Sequence, residues 1–336
     1  MVNLPYIKLR RKVELHAHLN GSLSTESIKE LGKKLYGANT TAMESICKRL
    51  VDVDSLDHCF SKFPLMHELT STKRGLQLAT ELVIRDFAKD NVIYLELRTT
   101  PKRNAAMSKM DYMVCVLETI IESMKTEKIL VRLLPSIDRA ADVAEAMDTV
   151  NLVLELLPKY DNIITGIDFS GNPKVGKFEY FMPALTKARQ HHLKLAIHCG
   201  EIDNPSEIDQ MIQFGMDRCG HGTFLSETQL QELGSKKIPI ECCLTSNVKC
   251  RTVNGYEDHH FKHIFNSKVA PVILCTDDCG VFDTTLSKEF ALAQQIYNLT
   301  NDDLDYLLMM GLENAFLENR DRIYLLKEIS PPNYGI

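Results

Sequence analysis

The chain has 336 residues, with 39 Lys and Arg against 45 Asp and Glu and a formal net charge of −6; an acidic balance excludes a general nucleic-acid or anionic-membrane surface, which needs a basic face. With 44% hydrophobic and 25% charged residues the composition excludes global disorder, and no apolar run approaches the roughly 18 residues of a membrane span. The opening MVNLPYIKLRRKVELHAH lacks an apolar stretch before a small-residue cleavage site, and the ten cysteines are scattered without a CxxC, the usage of reduced thiols in the cytosol.

In chain order, short apolar runs alternate with helix-like stretches. KVELHAHL (12–19) is followed by a long helical gap over 20–91, then by VIYLELR (92–98), the helical MDYMVCVLETIIESMK (110–125), ILVRLLP (129–135), the helical AADVAEAMDTVNLVLELL (140–157) and NIITGIDFS (162–170). LKLAIHCGE (193–201), GMDRCGHG (215–222), KIPIECCLTS (237–246) and APVILCTDD (270–278) complete eight runs. Each is near-continuously apolar at its start, as strands covered on both faces are. After residue 301 the chain reads as helices. No linker interrupts the pattern, so the units predict an α/β fold, one (β/α)8 TIM barrel over 1–336, in preference to a doubly wound sheet in two domains. The 20–91 segment reads as a helical cap inserted after the first strand.

Ionisable residues gather where the runs end: His16 and His18, Arg98, Asp138, Asp168, His198 and Glu201, His221, Asn247, Asp277 and Asp278. In a parallel barrel these ends open onto one face, where active sites sit. His16 and His18, one residue apart on a strand, point to the same side. His198 ends the fifth strand and Asp277 the eighth, which neighbours the first when the barrel closes. Three imidazoles and a carboxylate suit one Zn²⁺ per chain with a position left for water, and zinc lowers a water's pKa from 15.7 to about 7. Glu201 is placed to donate a proton if burial raises its pKa. His221, between two glycines, is placed to orient or deprotonate the water, and Asp278, next to Asp277, points towards substrate.

VELHAHLNGS (13–22), LELRTTP (95–101), FSGNP (169–173), HCGE (198–201), RCGHGTFL (218–225), CLTSNV (243–248) and CTDD (275–278) resemble, in order and over nearly the whole chain, the adenosine/AMP deaminases of the metal-dependent amidohydrolase barrels. The resemblance implies zinc ligation by His16, His18, His198 and Asp277, with His18 also beside the substrate. It implies Glu201 as proton donor to purine nitrogen 1, His221 and Asp278 as the water-orienting and nitrogen-7 partners, and Gly171 as a backbone donor to the purine. The reaction implied is hydroxide attack on carbon 6 with loss of the amine. The zinc cytidine/tRNA deaminase pattern is absent, since neither HxE nor PCxxC occurs.

Adenosine-specific members carry an acidic residue in an HLDG motif, where this chain has Asn20 in HLNGS. A neutral amide removes a charge that would repel a phosphate. The run Arg98-Thr99-Thr100-Pro101-Lys102-Arg103 supplies cationic and hydroxyl donors at another strand end, and His67 on the cap is a further phosphate or ribose contact. This combination resembles the adenosine deaminase-like branch, whose expected reaction converts N(6)-methyl-AMP to IMP and methylamine and in which Asp138 is another nucleotide contact. The expected partner is a small purine nucleoside monophosphate, bound by a cytosolic monomer without nucleic-acid polymer or membrane. Adenosine, AMP or adenine deamination are the alternatives. Gly171 to Lys177 matches G-x4-G-K, but Phe178 stands where a P-loop needs Ser or Thr, and Pro173 removes a backbone donor. A non-enzymatic metal-stabilised barrel is the remaining reading. His191-His192, Asp258-His259-His260 and His263 read as solvated, and Cys199 as packing.

Overall fold

The structure, a computed structural model, describes residues 4–50 and 56–329. Eight strands follow one another: β1 (Lys12–His18), β2 (Val92–Thr99), β3 (Leu130–Asp138), β4 (Gly166–Ser170), β5 (Lys194–Cys199), β6 (Arg218–His221), β7 (Ile240–Cys242) and β8 (Val272–Leu274). Each pairs in parallel with the next. The last meets the first through a parallel bridge between Ala17 and Asp277, with His18 N donating to Asp277 O at 3.3 Å and Asp277 N to His16 O at 2.8 Å. The barrel is therefore nearly closed, and its seam lies at three of the proposed metal ligands.

Helix α1 (Leu4–Leu9) precedes the barrel, and α2 (Thr25–Tyr36), α3 (Thr41–Arg49), α4 (Leu56–Leu69) and α5 (Lys73–Lys89) fill the long gap between β1 and β2. The outer layer continues with α6 (Lys109–Thr126), α7 (Val143–Tyr160), α8 (Phe178–Gln190), α9 (Pro205–Phe214) and α10 (Glu227–Ser235). Then come α11 (Leu244–Lys249), α12 (Phe261–Ser267), α13 (Cys279–Phe282), α14 (Leu286–Tyr297), α15 (Asn301–Glu313) and α16 (Asn319–Ile329). Starts are fixed locally: Ser108 and Asp111 form a reciprocal capping box on α6, and Thr300 and Asp303 do the same on α15, satisfying donors that the first helical turn leaves open. Among the described residues no helix is long and apolar enough to cross a membrane.

The strands are less uniformly apolar than their sequences suggest. In β1, Val13, Leu15 and Ala17 join the apolar core, while Lys12, Glu14 and His16 alternate with them and are equally buried. Period-two alternation thus puts one apolar set under the helices and one ionisable set inside the barrel. Glu14, Glu96, Arg98, Asp168, Arg218 and Glu241 are all fully buried. The last three strands are only three or four residues long, shorter than their apolar runs. Beyond them the backbone leaves the sheet: His221 and Asp277 adopt φ of 63° and 62°, a conformation rare for residues with a side chain and concentrated at functional sites.

Candidate active site

A cavity of about 670 Å³ opens at the C-terminal ends of the strands, where a parallel barrel presents its loops. Its floor holds His18, His198, His221, Asp277, Glu201 and Asp278, and its mouth is shared with Phe63 and His67 of α4. The cap inserted after β1 therefore contributes directly to the cavity wall.

The four proposed ligands converge. His16 Nε2 and His18 Nε2 lie 3.1 and 3.3 Å from His198 Nε2, and 3.7 and 3.5 Å from Asp277 Oδ1. A tetrahedral ion with ligand bonds of about 2.0–2.1 Å has ligand–ligand edges of about 3.3–3.4 Å, so this spacing fits zinc. The donor chemistry fits as well. Burial pushes His18 down to about 4 and His16 well below the usual imidazole range, which keeps their lone pairs available. His16 Nδ1 faces Glu241 Oε2 at 2.8 Å and His198 Nδ1 faces Asp168 Oδ1 at 3.2 Å. Carboxylates there fix the ring tautomers and raise ligand basicity. Burial opposes a charge on His198, yet the Asp168 carboxylate outweighs it and raises its pKa; the same attraction favours a cation at Nε2. Asp277 is oriented by Ser246, whose Oγ donates to Oδ2 at 2.6 Å.

Those two carboxylates are themselves held. Arg98 donates to Asp168 at 2.9 Å, to Glu241 at 2.6 Å and to the Leu15 carbonyl at 2.8 Å. Arg218 donates to Glu241 at 2.6 Å, pairs with Glu96, and stacks its guanidinium 3.5 Å from the Phe316 ring centre. Despite complete burial, the two guanidiniums hold Glu241 down to about 2.

Beside the ligands, burial raises Glu201 to about 7, with His198 lowering and Asp277 raising it to lesser degrees. Its Oε1 lies 3.8 Å from His221 Nε2. A carboxyl that keeps its proton to neutrality is a usable acid. Burial and the neighbouring Asp277 push Asp278 up, and Gly21 of the HLNGS motif makes room for it, since a β-carbon there would sit 1.6 Å from Asp278 Oδ1. Gly171, at φ 109°, likewise passes so close to Asp138 that a β-carbon would lie 2.3 Å from Oδ1.

Of the proposed substrate contacts, His18, Asn20, His67, Thr99, Thr100, Asp138, Gly171 and Asp278 line the cavity. Asn20 Nδ2 donates to Thr70 Oγ1 at 3.0 Å, tying the motif after β1 to the cap. Lys102 Nζ donates to His67 Nε2 at 2.8 Å, and burial plus this cation push His67 down to about 4. Three residues of the cationic run behave differently. Arg98 borders the cavity, but its guanidinium is fully buried in the carboxylate network, so its charge is committed to the ligand support and not to a phosphate. Pro101 is buried beside the lining residues and is not among them. Arg103 points to Glu145 at 2.5 Å, outside the cavity. The Gly171–Lys177 turn forms part of the lip through Asn172, Pro173 and Lys174.

The pair His259-His260, read from sequence as solvated, is instead internal to the site. His259 is 2% exposed and bonds Asn247 Oδ1 at 3.1 Å, and His260 Nε2 bonds the His221 carbonyl at 2.7 Å. A polar run between turns gave no sign of this, because only the fold brings it under β6. Glu241, Arg218 and Ser246 were also missed. For Arg218 on β6 and Glu241 on β7 the available signal was a charge isolated in an apolar strand, which needs a partner. His191 and His192 are exposed, as expected, and Cys199 is buried in the core.

The sequence matches the family described as "Adenosine deaminase" over residues 11–332. It is 48% identical to the "Adenosine deaminase-like protein" of Drosophila melanogaster, with 98% of each chain covered. It is 39% identical to the "N6-mAMP deaminase" of Arabidopsis thaliana, covering 94% of this chain and 95% of that one. The crystal structure of Arabidopsis ADAL complexed with IMP superposes with a TM-score of 0.86 at 38% identity, covering 96% of each chain. The chain belongs to the adenosine deaminase family and is a hydrolytic deaminase built on an eight-stranded parallel TIM barrel.

Proposed function

We propose that the protein is a zinc-dependent aminohydrolase acting at carbon 6 of a purine nucleoside monophosphate, with N(6)-methyl-AMP converted to IMP and methylamine. The observation that carries this reading is one cavity with a three-histidine, one-aspartate floor and a mouth where Asn20, His67 and Lys102 offer donors without an opposing carboxylate at residue 20. The N6-mAMP deaminase name of the Arabidopsis relative and the IMP complex of the Arabidopsis structure support it.

His16, His18, His198 and Asp277 would hold the zinc, which when bound would supply the Lewis acidity that makes hydroxide available near pH 7. Glu201 holds its proton at purine nitrogen 1, so that carbon 6 becomes more electrophilic as the carbon–oxygen bond forms. Asp278 offers its carboxyl to nitrogen 7 and the Gly171 backbone bonds the purine edge. His221 orients the attacking oxygen. Asp138, Thr99, Thr100, His67 and Lys102 bind the ribose and phosphate end, and the cap wall excludes water from the purine.

The test is a substrate panel. Methylamine release from N(6)-methyl-AMP should exceed ammonia release from adenosine by a wide margin. Equal or better turnover of adenosine would overturn the assignment of the mouth to a phosphate. Asp277→Ala and His198→Ala should each lose zinc and activity together; stoichiometric zinc in both would show the ligand set to be wrong.

A further inference from the structure

We infer that Asn247 and His259 are positioning residues that hold His221 as the tautomer with its proton on Nε2, the nitrogen facing the cavity. The inference rests on the deaminase reading of the site for its catalytic consequence, while the tautomer itself follows from a chain of hydrogen bonds.

The chain begins at a group that can only donate. The Phe261 backbone N–H, at the start of α12, reaches His259 Nδ1 at 3.0 Å, so that nitrogen is bare. Burial, with lesser contributions from His260 and His221, pushes His259 down to about 2 and keeps it neutral. Its single proton is therefore on Nε2, which donates to Asn247 Oδ1 at 3.1 Å. This fixes the amide of Asn247 with its oxygen towards His259 and its NH2 group away from it.

Thr252 gives an independent check. Its Oγ1 donates to the Asn247 carbonyl at 3.1 Å and accepts from Asn247 Nδ2 at 3.2 Å, the same amide orientation reached from the other side. The amide nitrogen then donates to His221 Nδ1 at 3.4 Å. A proton on that nitrogen would set donor against donor, so neutral His221 carries its hydrogen on Nε2. Asn247 and His259 are both 2% exposed, which leaves no bulk water to replace either bond. A second clamp acts on the backbone: His260 Nε2 donates to the His221 carbonyl at 2.7 Å, where φ is 63°.

Two consequences follow. His221 groups with His16 and Asp277 closely enough to share one ion, but with Nδ1 facing the Asn247 amide and Nε2 bearing hydrogen it has no lone pair free for a cation. The relay thus keeps His221 out of the ligand set. It also aims an N–H donor into the cavity beside Glu201, 3.8 Å away, so His221 orients an oxygen by donation.

Ring-resolved ¹H–¹⁵N correlation spectra of the zinc-loaded protein, with labelled histidine, read the tautomer directly. In the wild type, Nε2 of His221 should be the proton-bearing nitrogen and Nδ1 the bare one. Asn247→Asp replaces the donor by an acceptor and should move the proton to Nδ1. It should lower kcat about tenfold to a hundredfold, part of the about 10²–10⁴ that a positioned proton-handling group contributes, with KM and zinc content nearly unchanged. His259→Gln, which keeps a donor and an acceptor in place, should retain the wild-type tautomer and most of kcat. A wild-type spectrum with the proton on Nδ1 overturns the inference without any variant. So does an Asn247→Asp protein whose tautomer moves while kcat stays at the wild-type value. The spectrum needs no substrate, so failure of the deaminase reading and failure of this one give different results.

Discussion

At the floor of the cavity Glu241 accepts from Arg98 and Arg218, both at 2.6 Å, and faces His16 at 2.8 Å. At the mouth, Lys102 and His67 share one contact of 2.8 Å, and Asn20 keeps a single bond to the cap. The floor thus compensates its charges internally, and the ligand nitrogens are aimed before any ion arrives. The mouth leaves donor capacity for a guest. On the proposed function, reaction chemistry rests on the first arrangement and substrate choice on the second, so damage to each should differ in kind as well as size.

The largest effect is expected from Glu241→Gln. Removing one member of a buried ion network leaves uncompensated charge, here on Arg98 and Arg218, at a cost of about 3–5 kcal/mol. Loss of the carboxylate behind a ligand histidine lowers metal affinity by about 10–100-fold. Denaturant unfolding and metal analysis on one sample read both. Wild-type stability together with wild-type zinc affinity would show that the floor is not the preorganised unit described. Raised salt should rescue neither property, because the pairs are inaccessible to screening ions.

Glu201 lies on the floor beside the candidate ligands without joining them, and its substitution should separate chemistry from ligand support. Glu201→Gln should retain zinc and lose about 10²–10⁴ in kcat, the range for a positioned acid. Its pKa is raised to about 7, chiefly by burial. With Glu201 as the proposed acid, the alkaline side of the wild-type kcat profile should fall as pH rises through that value. In the Gln variant this alkaline limb should vanish from the residual rate. A wild-type profile with no alkaline fall would overturn the proposed role.

The barrel was legible because parallel strands announce themselves as apolar runs, and the convergence of the candidate ligands because HAH, HCGE and CTDD place donors at run ends. The support of those ligands was harder to read. Arg98 looks like a phosphate anchor beside Lys102 and Arg103, yet alternation along β2 turns it inward while the next exposed positions turn out. Its partners Asp168 and Glu241 are 70 and 143 residues away in sequence, and only barrel closure brings them together. The His259-His260 pair failed for the same reason: local polarity suggests solvent, whereas β6 and α11 supply partners from above. Periodicity reports which face a residue occupies, and not which charge lies opposite.

The smallest predicted effect is the most discriminating for substrate choice. Lys102 lines the mouth and its pKa is lowered by burial, against the pull of Asp138; His67, whose pKa burial and Lys102 lower to about 4, is neutral near pH 7 and can accept from that ammonium without competing for an anion. Lys102→Met removes one charge-assisted bond to a phosphate, worth about 1.5 kcal/mol, or about tenfold. KM for the monophosphate should rise by that factor with kcat nearly constant, since a remote contact binds ground state and transition state alike. The corresponding nucleoside, which has no phosphate to lose, should show no change. The difference between wild type and variant should also shrink with added salt, because the mouth is open to screening and the floor is not. An equal loss for nucleoside and nucleotide would move Lys102 from phosphate binding to packing of the cap, and would leave phosphate selection to Asn20, His67 and the threonines.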